Sequence, residues 1–458
     1  MVGVSSLNRA SVSLSEIVNS GQNLKAGFFN IKARTARDLI AGLGVPVKPM
    51  QDMASSCSYP KRFKRAYSSD GYGFLGSSEM LAMRPDPIKF MPWQAEIETK
   101  VGQILISRSG TVGNVTYVSE TLSKYLVSEH AIRLEVPENP GYVYAFLKTE
   151  CGRLLIEAGI HGAVVKQVEP DHIMSIPVPL ASDGVVGDIN DLVLESFSLR
   201  DLSNNIVDRA QDELLNALEL PAQLSDICAP RDADCFSISL SDWGDRLDAS
   251  FHAPHLKKIV DALDRKAEAL LPLGDKSLTS QIFLPGRFKR IYVEGKYGTP
   301  FIGGKEIGNL DPRTKKRLSL QGHKERILDQ LITEENEILV TRSGTIGKVA
   351  LVPDFWSGWA VSEHLLRIRP KNELLAGYLY AWLSTDFGRA LIRKHTYGAV
   401  IFEIDQHHLG DVPVPILQKS FMEKIGAMLL EANVLKSLAF QKEQDAIKRF
   451  QSEVLLLT

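Results

Sequence analysis

A long internal repeat constrains the fold of this chain more than any other feature. The segment Ile104-Leu-Ile-Ser-Arg-Ser-Gly-Thr-Val-Gly113 recurs as Ile338-Leu-Val-Thr-Arg-Ser-Gly-Thr-Ile-Gly347, and Val127-Ser-Glu-His130 recurs unchanged as Val361-Ser-Glu-His364, both after 234 residues. Solenoid units recur at much shorter intervals, roughly every 20–50 residues. The chain therefore contains a duplicated domain.

The duplication reaches both ends of each copy, with insertions between the matched blocks. The further matches are Ser11–Glu16 with Ser237–Asp242, Arg62–Arg65 with Arg287–Arg290, Phe74–Gly76 with Phe301–Gly303, Gly162–Val165 with Gly398–Ile401, and Pro177–Pro179 with Pro413–Pro415. We predict a first module over residues 1–185, a connecting helix over 186–222, a second module over 223–417 and a final helix over 418–458. The two modules share the order of their segments but differ in many residues, which suggests that they bind two related but different ligands.

The composition is typical of a globular protein, and we expect neither a membrane span nor a signal peptide. The chain has 458 residues, 44% hydrophobic and 24% charged, and no uninterrupted apolar stretch of spanning length. Its four cysteines show no CxxC spacing, which is typical of reduced thiols in a cytoplasmic protein. The net charge of −2 does not favour nucleic-acid binding, but basic residues are concentrated in short runs such as Lys61–Arg65, Arg287–Arg290 and Arg313–Arg317.

Residue patterns predict an α+β protein with two strand-rich modules. Each copy has a strand, the Arg-Ser-Gly-Thr turn and a second strand, followed by a helix over 142–157 or 378–393 and a closing Pro-Val-Pro. Long helices over about 188–220 and 420–457 come next, and small residues recur every seven positions in both. This spacing favours an antiparallel coiled coil; the alternative is that each helix only covers the core of its own module.

The shared turn is the sharpest candidate for a binding site. Arg108 and Arg342 each precede a hydroxyl residue and a glycine that exposes backbone N–H groups, a combination suited to phosphate contact. Alternatively, the glycine only permits a tight turn and the arginine pairs with Glu129 or Glu363 of Val-Ser-Glu-His. For the Arg-Phe-Lys-Arg runs we favour the DNA interpretation, because packing explains neighbouring cations poorly.

The order of these segments resembles the specificity subunits of type I restriction–modification systems. The likeness covers essentially the whole chain, and its landmarks in the second copy are Arg246-Leu-Asp-Ala-Ser-Phe251, Phe301-Ile-Gly-Gly-Lys-Glu-Ile307, Asn336–Gly347 and Val412-Pro-Val-Pro415. The first copy departs from this pattern, with Asn23-Leu-Lys-Ala-Gly-Phe28 and Ser77-Ser-Glu79 at the equivalent places.

The resemblance implies a non-catalytic subunit with two target-recognition domains, each reading one half of a bipartite, asymmetric site in double-stranded DNA. It also implies partners: two methyltransferase subunits and restriction or translocase subunits, which would bind S-adenosylmethionine, ATP and Mg²⁺ in a bacterial or archaeal cytoplasm. We expect no cofactor in this chain. The candidate DNA-binding residues are Lys61, Arg62, Lys64, Arg65, Arg108, Ser109, Thr111, Lys166, Gln167, Arg287, Lys289, Arg290, Lys305, Lys315, Lys316, Arg317, Arg342, Ser343 and Thr345.

Two alternatives belong to other classes. Asp86, Glu98 and Lys100 have the acidic–acidic–lysine order of metal-dependent nucleases, which would make the chain an enzyme in its own right. The second copy has no counterpart of this arrangement. A duplicated scaffold that binds protein instead of DNA is the other alternative.

Overall fold

The computed structural model describes most of the chain. The described residues are 11–19, 28–68, 70–162, 164–227, 235–239, 243, 246–309, 316–326, 330–398 and 400–457. Contacts divide the chain into two compact units, one containing the residues up to Asp201 and those from Leu438 onward, the other Leu202–Ser437. Among the described helices, none combines the length and apolar character that crossing a membrane requires.

The first unit alternates short strands with helices. Its elements are α1 (Leu14–Asn19), α2 (Ile31–Gly42), β1 (Val47–Pro49), β2 (Ser56–Ser58), β3 (Tyr72–Leu75), β4 (Phe90–Met91), β5 (Ile104–Ser107), β6 (Val115–Tyr117), α3 (Glu120–Ser123), β7 (Leu126–Val127), β8 (Ala131–Glu135), α4 (Pro140–Lys148), α5 (Glu150–Ala158), α6 (Pro170–Met174), β9 (Pro177–Pro179) and the beginning of the long helix α7 (Asp183–Ala217).

The second unit repeats this order. After the remainder of α7 come α8 (Pro254–Lys266), β10 (Ala269–Pro272), β11 (Thr279–Phe283), β12 (Tyr292–Val293), β13 (Gly298–Ile302), β14 (Arg317–Ser319), α9 (Lys324–Arg326), β15 (Ile338–Thr341), β16 (Val349–Leu351), β17 (Ala360–Val361), β18 (Leu365–Pro370), α10 (Glu373–Leu383), α11 (Asp386–Lys394), α12 (Gln406–Gly410), β19 (Pro413–Ile416) and the beginning of α13 (Lys419–Arg449). The residues of α13 from Leu438 onward belong to the first unit.

Sheet topology shows that the duplication is structural. In the first unit an antiparallel sheet has the order β2-β8-β5-β6, and in the second unit the corresponding strands give β11-β18-β15-β16. A second sheet joins β3 to β7 in parallel, and β13 joins β17 in the same way. The α+β class and the duplicated, strand-rich modules predicted from the sequence are confirmed.

The repeated strands form because their side chains are apolar and mostly β-branched. Every residue of β5 and of β15 is buried, so both faces of these strands are covered. On one side lie helices such as α10, all of whose residues from Ala376 to Leu383 are buried except Tyr380. The central strands thus fix the position of the Arg-Ser-Gly-Thr turns that follow them.

The predicted helices over 142–157 and 378–393 are each two helices, not one. Thr149 has an extended backbone at the break, and its hydroxyl accepts a hydrogen bond of 3.0 Å from the Gly152 N–H; Thr385 and Gly388 repeat this N-cap. The chain reverses so tightly that a Cβ on Gly152 would lie 2.2 Å from the Phe146 carbonyl oxygen. Periodicity alone missed the break because both helices are apolar on the core side.

The Pro-Val-Pro segments do more than close each module, which is all that the sequence predicted. Each segment forms an edge strand of a two-stranded ladder. Val178 pairs with Lys48 in a two-stranded antiparallel ladder, and β19 pairs with β10. Proline is tolerated at such an edge because only one side of the strand needs N–H donors. Buried tyrosine hydroxyls use the proline carbonyls, with Tyr142 donating to Pro179 at 2.7 Å and Tyr378 donating to Pro415.

The two long helices run antiparallel to each other within each unit. In the first unit Glu195 contacts Lys442 and Asp188 contacts Arg449; in the second, Glu213 contacts Lys424. Small residues at the predicted seven-residue spacing are buried in both helices, namely Ser196, Ser203, Ala210, Ala432, Ala439 and Ala446. They permit close approach, as the hydrogen bond of 2.7 Å from the Ser203 hydroxyl to the Ala432 carbonyl shows. The coiled-coil prediction is therefore confirmed.

Candidate nucleic-acid interface

The Arg-Ser-Gly-Thr turns have the same backbone geometry in both modules. Gly110 has φ 80° and Gly344 has φ 74°, a left-handed conformation that favours glycine. The preceding strand residue holds the turn: the Ser107 hydroxyl donates to the Thr111 carbonyl at 2.6 Å, and Thr341 donates likewise to Thr345. The glycine is therefore explained by the turn itself.

The turn arginines form ion pairs, but not with the glutamates predicted from the sequence. Arg108 Nη2 lies 2.7 Å from Glu169 Oε1, and the guanidinium stacks 4.0 Å over the Tyr59 ring. Arg342 Nη2 lies 2.7 Å from Glu403 Oε2. The suggested pairing with Glu129 and Glu363 is wrong, because those carboxylates are occupied elsewhere.

Glu129 and Glu363 instead bind the last arginine of each Arg-Phe-Lys-Arg run. Arg65 Nη2 contacts both carboxylate oxygens of Glu129 at 2.8 and 3.0 Å, and Arg290 contacts those of Glu363 at 2.7 and 2.8 Å. Burial raises the pKa of Glu363, but the hydrogen bonds from Arg290 outweigh it and hold the pKa below its ordinary value.

These arginines also pack on aromatic rings, with Arg65 5.4 Å from the Phe74 centroid and Arg290 5.1 Å from that of Phe301. Packing therefore explains one cation of each run, contrary to our expectation for the whole run. The others remain available on the surface: Lys61, Arg62, Lys64, Arg287 and Lys289 are all exposed.

A serine and a histidine connect the turn to the basic run in each module. Ser109 Oγ lies 2.7 Å from His130 Nδ1, and Ser343 Oγ lies 2.8 Å from His364 Nδ1. The other ring nitrogen faces the neighbouring glutamate, with His130 Nε2 3.6 Å from Glu129 Oε1. The candidate hydroxyls at 109 and 343 therefore orient histidine rings that are 42% and 45% exposed.

The first module has a cleft at this place with a volume of about 300 Å³. It is lined by Arg62, Phe63, Arg65, Glu129 and His130. Cations of the basic run and the half-exposed histidine thus share one concave surface. Such a surface suits a phosphate group, which binds guanidinium and N–H donors well.

A short hairpin loop lies against each turn. Ser109 bridges to Gln167, which also pairs with His161 through backbone hydrogen bonds of 2.8 and 2.9 Å. In the second module Ser343 bridges to Glu403, which pairs with Tyr397 at 2.8 and 2.9 Å. The candidates Lys166 and Gln167 are thereby brought next to the turn, with Lys166 exposed.

The remaining candidates of the second module lie between β13 and the first residue of β14. Lys305 is exposed, and Lys316 lies 5.8 Å above the Tyr292 ring. Arg317 donates a hydrogen bond of 2.9 Å to the Gly298 carbonyl, which ties it to its own sheet. Lys315 lies outside the described residues. The hydroxyls of Thr111 and Thr345 belong to exposed residues of the two turns.

Sequence reasoning missed a buried arginine in each module. Arg133 donates to the carbonyls of Ile97, Val127 and Ala131 at 3.0, 2.7 and 3.2 Å, and burial lowers its pKa to about 10. Arg367 occupies the matching position and binds Glu337. Both sit at the 234-residue repeat, so the duplication itself was the signal that could have found them.

Comparison with known proteins identifies the second module. The family model of the type I restriction modification DNA specificity domain matches residues 287–429, from the basic run into the last long helix. Residues 287–429 of this chain are thus similar to that DNA specificity domain. DNA sequence recognition is the function that this match supports. The first module repeats the strand order, the turn and the ion pairs of the second, so this architecture is present twice.

A search of solved structures gives matches of low similarity that cover most of the chain. The S subunit of a type I restriction–modification system from M. genitalium is 14% identical, with a TM-score of 0.37, over 90% of this chain and 96% of that one. The HsdS subunit from Thermoanaerobacter tengcongensis is 13% identical, with a TM-score of 0.28, over 90% and 97%. No curated protein matches the chain.

Nothing favours the nuclease alternative. Across the described ranges, no three His, Cys, Asp or Glu side chains are grouped so that they could hold a metal ion. Glu98 lies beside the buried Arg133, whose Nε donates to the Glu98 carbonyl at 3.2 Å. Both modules instead share the turn, the hairpin loop and the basic run.

Proposed function

We propose that this chain is the specificity subunit of a type I restriction–modification complex and that each module reads one half of a bipartite, asymmetric DNA target. The observation that carries this proposal is the repeated cluster of turn arginine, serine–histidine contact and basic run in both modules. Identical residues in the cluster would serve contacts that both modules make with DNA.

Positions that differ between the clusters are the candidates for what the two modules read differently. Lys166-Gln167 of the first loop corresponds to Phe402-Glu403 of the second. A cation and an amide in one copy, and an aromatic ring and a carboxylate in the other, offer different contacts to base edges. Two modules of one frame would therefore recognise two different short sequences.

The partners in this proposal are methyltransferase and restriction or translocase subunits that assemble on the chain. They would carry the catalysis, and with it S-adenosylmethionine, ATP and Mg²⁺, while the chain itself would contribute only binding. We place the complex in the bacterial or archaeal cytoplasm, because genomic DNA is its substrate. Incubating the purified chain alone with DNA and Mg²⁺ should give neither cleavage nor methylation; cleavage would support the nuclease alternative.

Exchange of the first module tests the assignment of half-sites. Replacing residues 1–180 with the first module of another specificity subunit should change one half of the methylated sequence and leave the other half unchanged. Methylation mapping of a genome that carries the complex reads both halves at once. A change in both halves, or in neither, would contradict independent reading by the two modules.

A further inference from the structure

The hairpin loops beside the two turns end in exposed apolar side chains. Val164 and Val165 are 95% and 54% exposed in the first module. At the same place in the second module, Val400, Ile401 and Phe402 are 94%, 64% and 55% exposed. Single apolar residues on a surface are common, but the same apolar tip on both copies indicates a surface that is covered on binding.

A glycine with a left-handed backbone begins each loop. Gly162 has φ 97°, and a Cβ there would lie 2.1 Å from the Val165 carbonyl oxygen; for Gly398 the values are 104° and 2.3 Å, to Ile401. The ends of each loop are joined by the paired hydrogen bonds at Gln167 and Glu403. Both loops thus require glycine at this position and have paired ends.

Cationic side chains lie near the base of each loop. In the second module Glu403 binds Arg342, and Arg287 Nη2 lies 3.9 Å from the Glu403 carboxylate with its side chain 78% exposed. In the first module Lys166 directly follows the tip and is exposed, and Ser109 connects the loop to His130 in the basic cleft. An apolar tip with a cationic base fits a polyanion whose interior is apolar, which describes duplex DNA better than a protein partner.

We propose that the tips Val164-Val165 and Val400-Ile401-Phe402 enter a groove of the duplex and contact the apolar surface of bases. This inference rests on the proposed function. Two parts of a base offer such a surface: the methyl group of thymine in the major groove, and the face of a base at an opened step. The cations at the loop base hold the phosphates on either side, so the tip acts in base reading and not in general affinity.

A double serine substitution in the first tip tests the inference in the full chain assembled with its methyltransferase subunits. Val164→Ser with Val165→Ser should weaken binding to the specific duplex roughly tenfold, the scale of one lost base contact. Binding to a random duplex should change less than about twofold, and the salt dependence should not change, since no phosphate contact is lost. Val101→Ser, at a residue 49% exposed in the same module, is the matched control and should change neither affinity.

Two modified duplexes then distinguish the base surfaces. Replacing thymine by uracil in the first half-site removes only methyl groups, and loss of affinity with the native tip but not with the serine variant would assign the methyl edge. A rise in 2-aminopurine fluorescence with the native tip alone would assign an opened step. The inference would be overturned if neither effect were seen and the serine variant bound the specific duplex as tightly as the native chain does.

Two other outcomes would contradict base contact. In the first, the serine variant loses affinity equally for the specific and the random duplex. In the second, it keeps its DNA affinity but no longer assembles with the methyltransferase subunits, which would make the tip a protein-docking site. Thermal melting of the variant should match the native chain, because the replaced side chains are exposed. If the native complex itself showed no preference for one sequence, the proposed function would fail and not only the role of the tips.

Discussion

Arg200 Nη2 lies 2.7 Å from Glu443 Oε2, although 243 residues separate them in the sequence. Both side chains are buried, on α7 and α13 respectively. Lys148 Nζ lies 3.6 Å from the same carboxylate, and the Tyr144 hydroxyl donates to it. Burial raises the pKa of Glu443, but the charges of Arg200 and Lys148 outweigh it and lower the pKa to about 2. One carboxylate thus joins the last long helix to the first module.

Neutralising Glu443 should therefore destabilise the first unit. Glu443→Gln leaves Arg200 buried without its counter-charge, and we expect a loss of about 3–5 kcal/mol in the free energy of unfolding. Urea denaturation measures it. Glu453→Gln, which breaks a more exposed pair with Arg449 on the same segment, should cost about 1 kcal/mol or less. Equal losses for the two variants would contradict a special role for the buried pair.

His395 should make the second unit less stable in mild acid. Burial, aided by the charges of Lys394, His408 and Arg246, lowers the pKa of His395 from 6.5 to about 4. Since the folded state disfavours the charged form, the histidine takes up its proton at higher pH in the unfolded state than in the folded state. The free energy of unfolding therefore keeps its full value above pH 6.5 and falls as the pH drops toward 4. The fall due to this histidine is about 3 kcal/mol at most.

Unfolding free energies measured between pH 7 and pH 4 test this sign. The fall should be smaller in His395→Gln and unchanged in His407→Gln, whose ring belongs to an exposed residue. A steeper fall in His395→Gln would show that the histidine is charged in the folded state.

The exposed cations of the basic run should contribute affinity without sequence preference. Arg287→Ala with Lys289→Ala should weaken binding to specific and random duplexes alike and reduce the salt slope by about two at most, roughly one for each lost phosphate contact. Lys419→Ala, at a side chain 90% exposed on α13, is the control for loss of charge alone. An unchanged slope in the double variant would place these cations away from DNA.

Helix length should set the spacing between the half-sites. With 35 residues, α7 spans roughly 50 Å, which compares with about 34 Å for a duplex turn. Modules separated by such a helix would read half-sites about one to one and a half turns apart, with a nonspecific gap of roughly five to nine base pairs.

The helices can be lengthened to test this ruler where the unit boundary crosses them, at Asp201–Leu202 and Ser437–Leu438. Seven residues inserted at both places preserve the small-residue spacing and add roughly 10 Å, or about three base pairs of gap. Insertion into α7 alone should abolish binding instead, because it shifts the two helices out of register. A methylated site of unchanged length after the double insertion would rule out the ruler.

The repeat in the sequence predicted the frame of the fold but not its contacts. Identical segments at one offset located β5, β15 and the turns after them, because short-range patterns determine strands and turns. The partners of Arg108 and Arg342 were predicted wrongly, since Glu169 and Glu403 are some sixty residues away along the chain and no pattern connects them. The break at Thr149 depends on backbone approach to Gly152, which sequence periodicity does not report. The domain limits and the DNA-binding residues stay predictions.

The first unit is built from two stretches of chain that are translated at very different times. Its residues up to Asp201 leave the ribosome early, whereas Leu438 and the residues after it follow only when the whole second unit has been made. Until then the apolar residues Tyr142 and Phe146 of α4 lack Phe450, whose ring lies 4.8 and 5.4 Å from theirs. The first unit of a nascent chain therefore stays incomplete until Leu438 and the residues after it are made. Premature termination just before Leu438 would leave the first unit incomplete, although all residues of the second unit would be present.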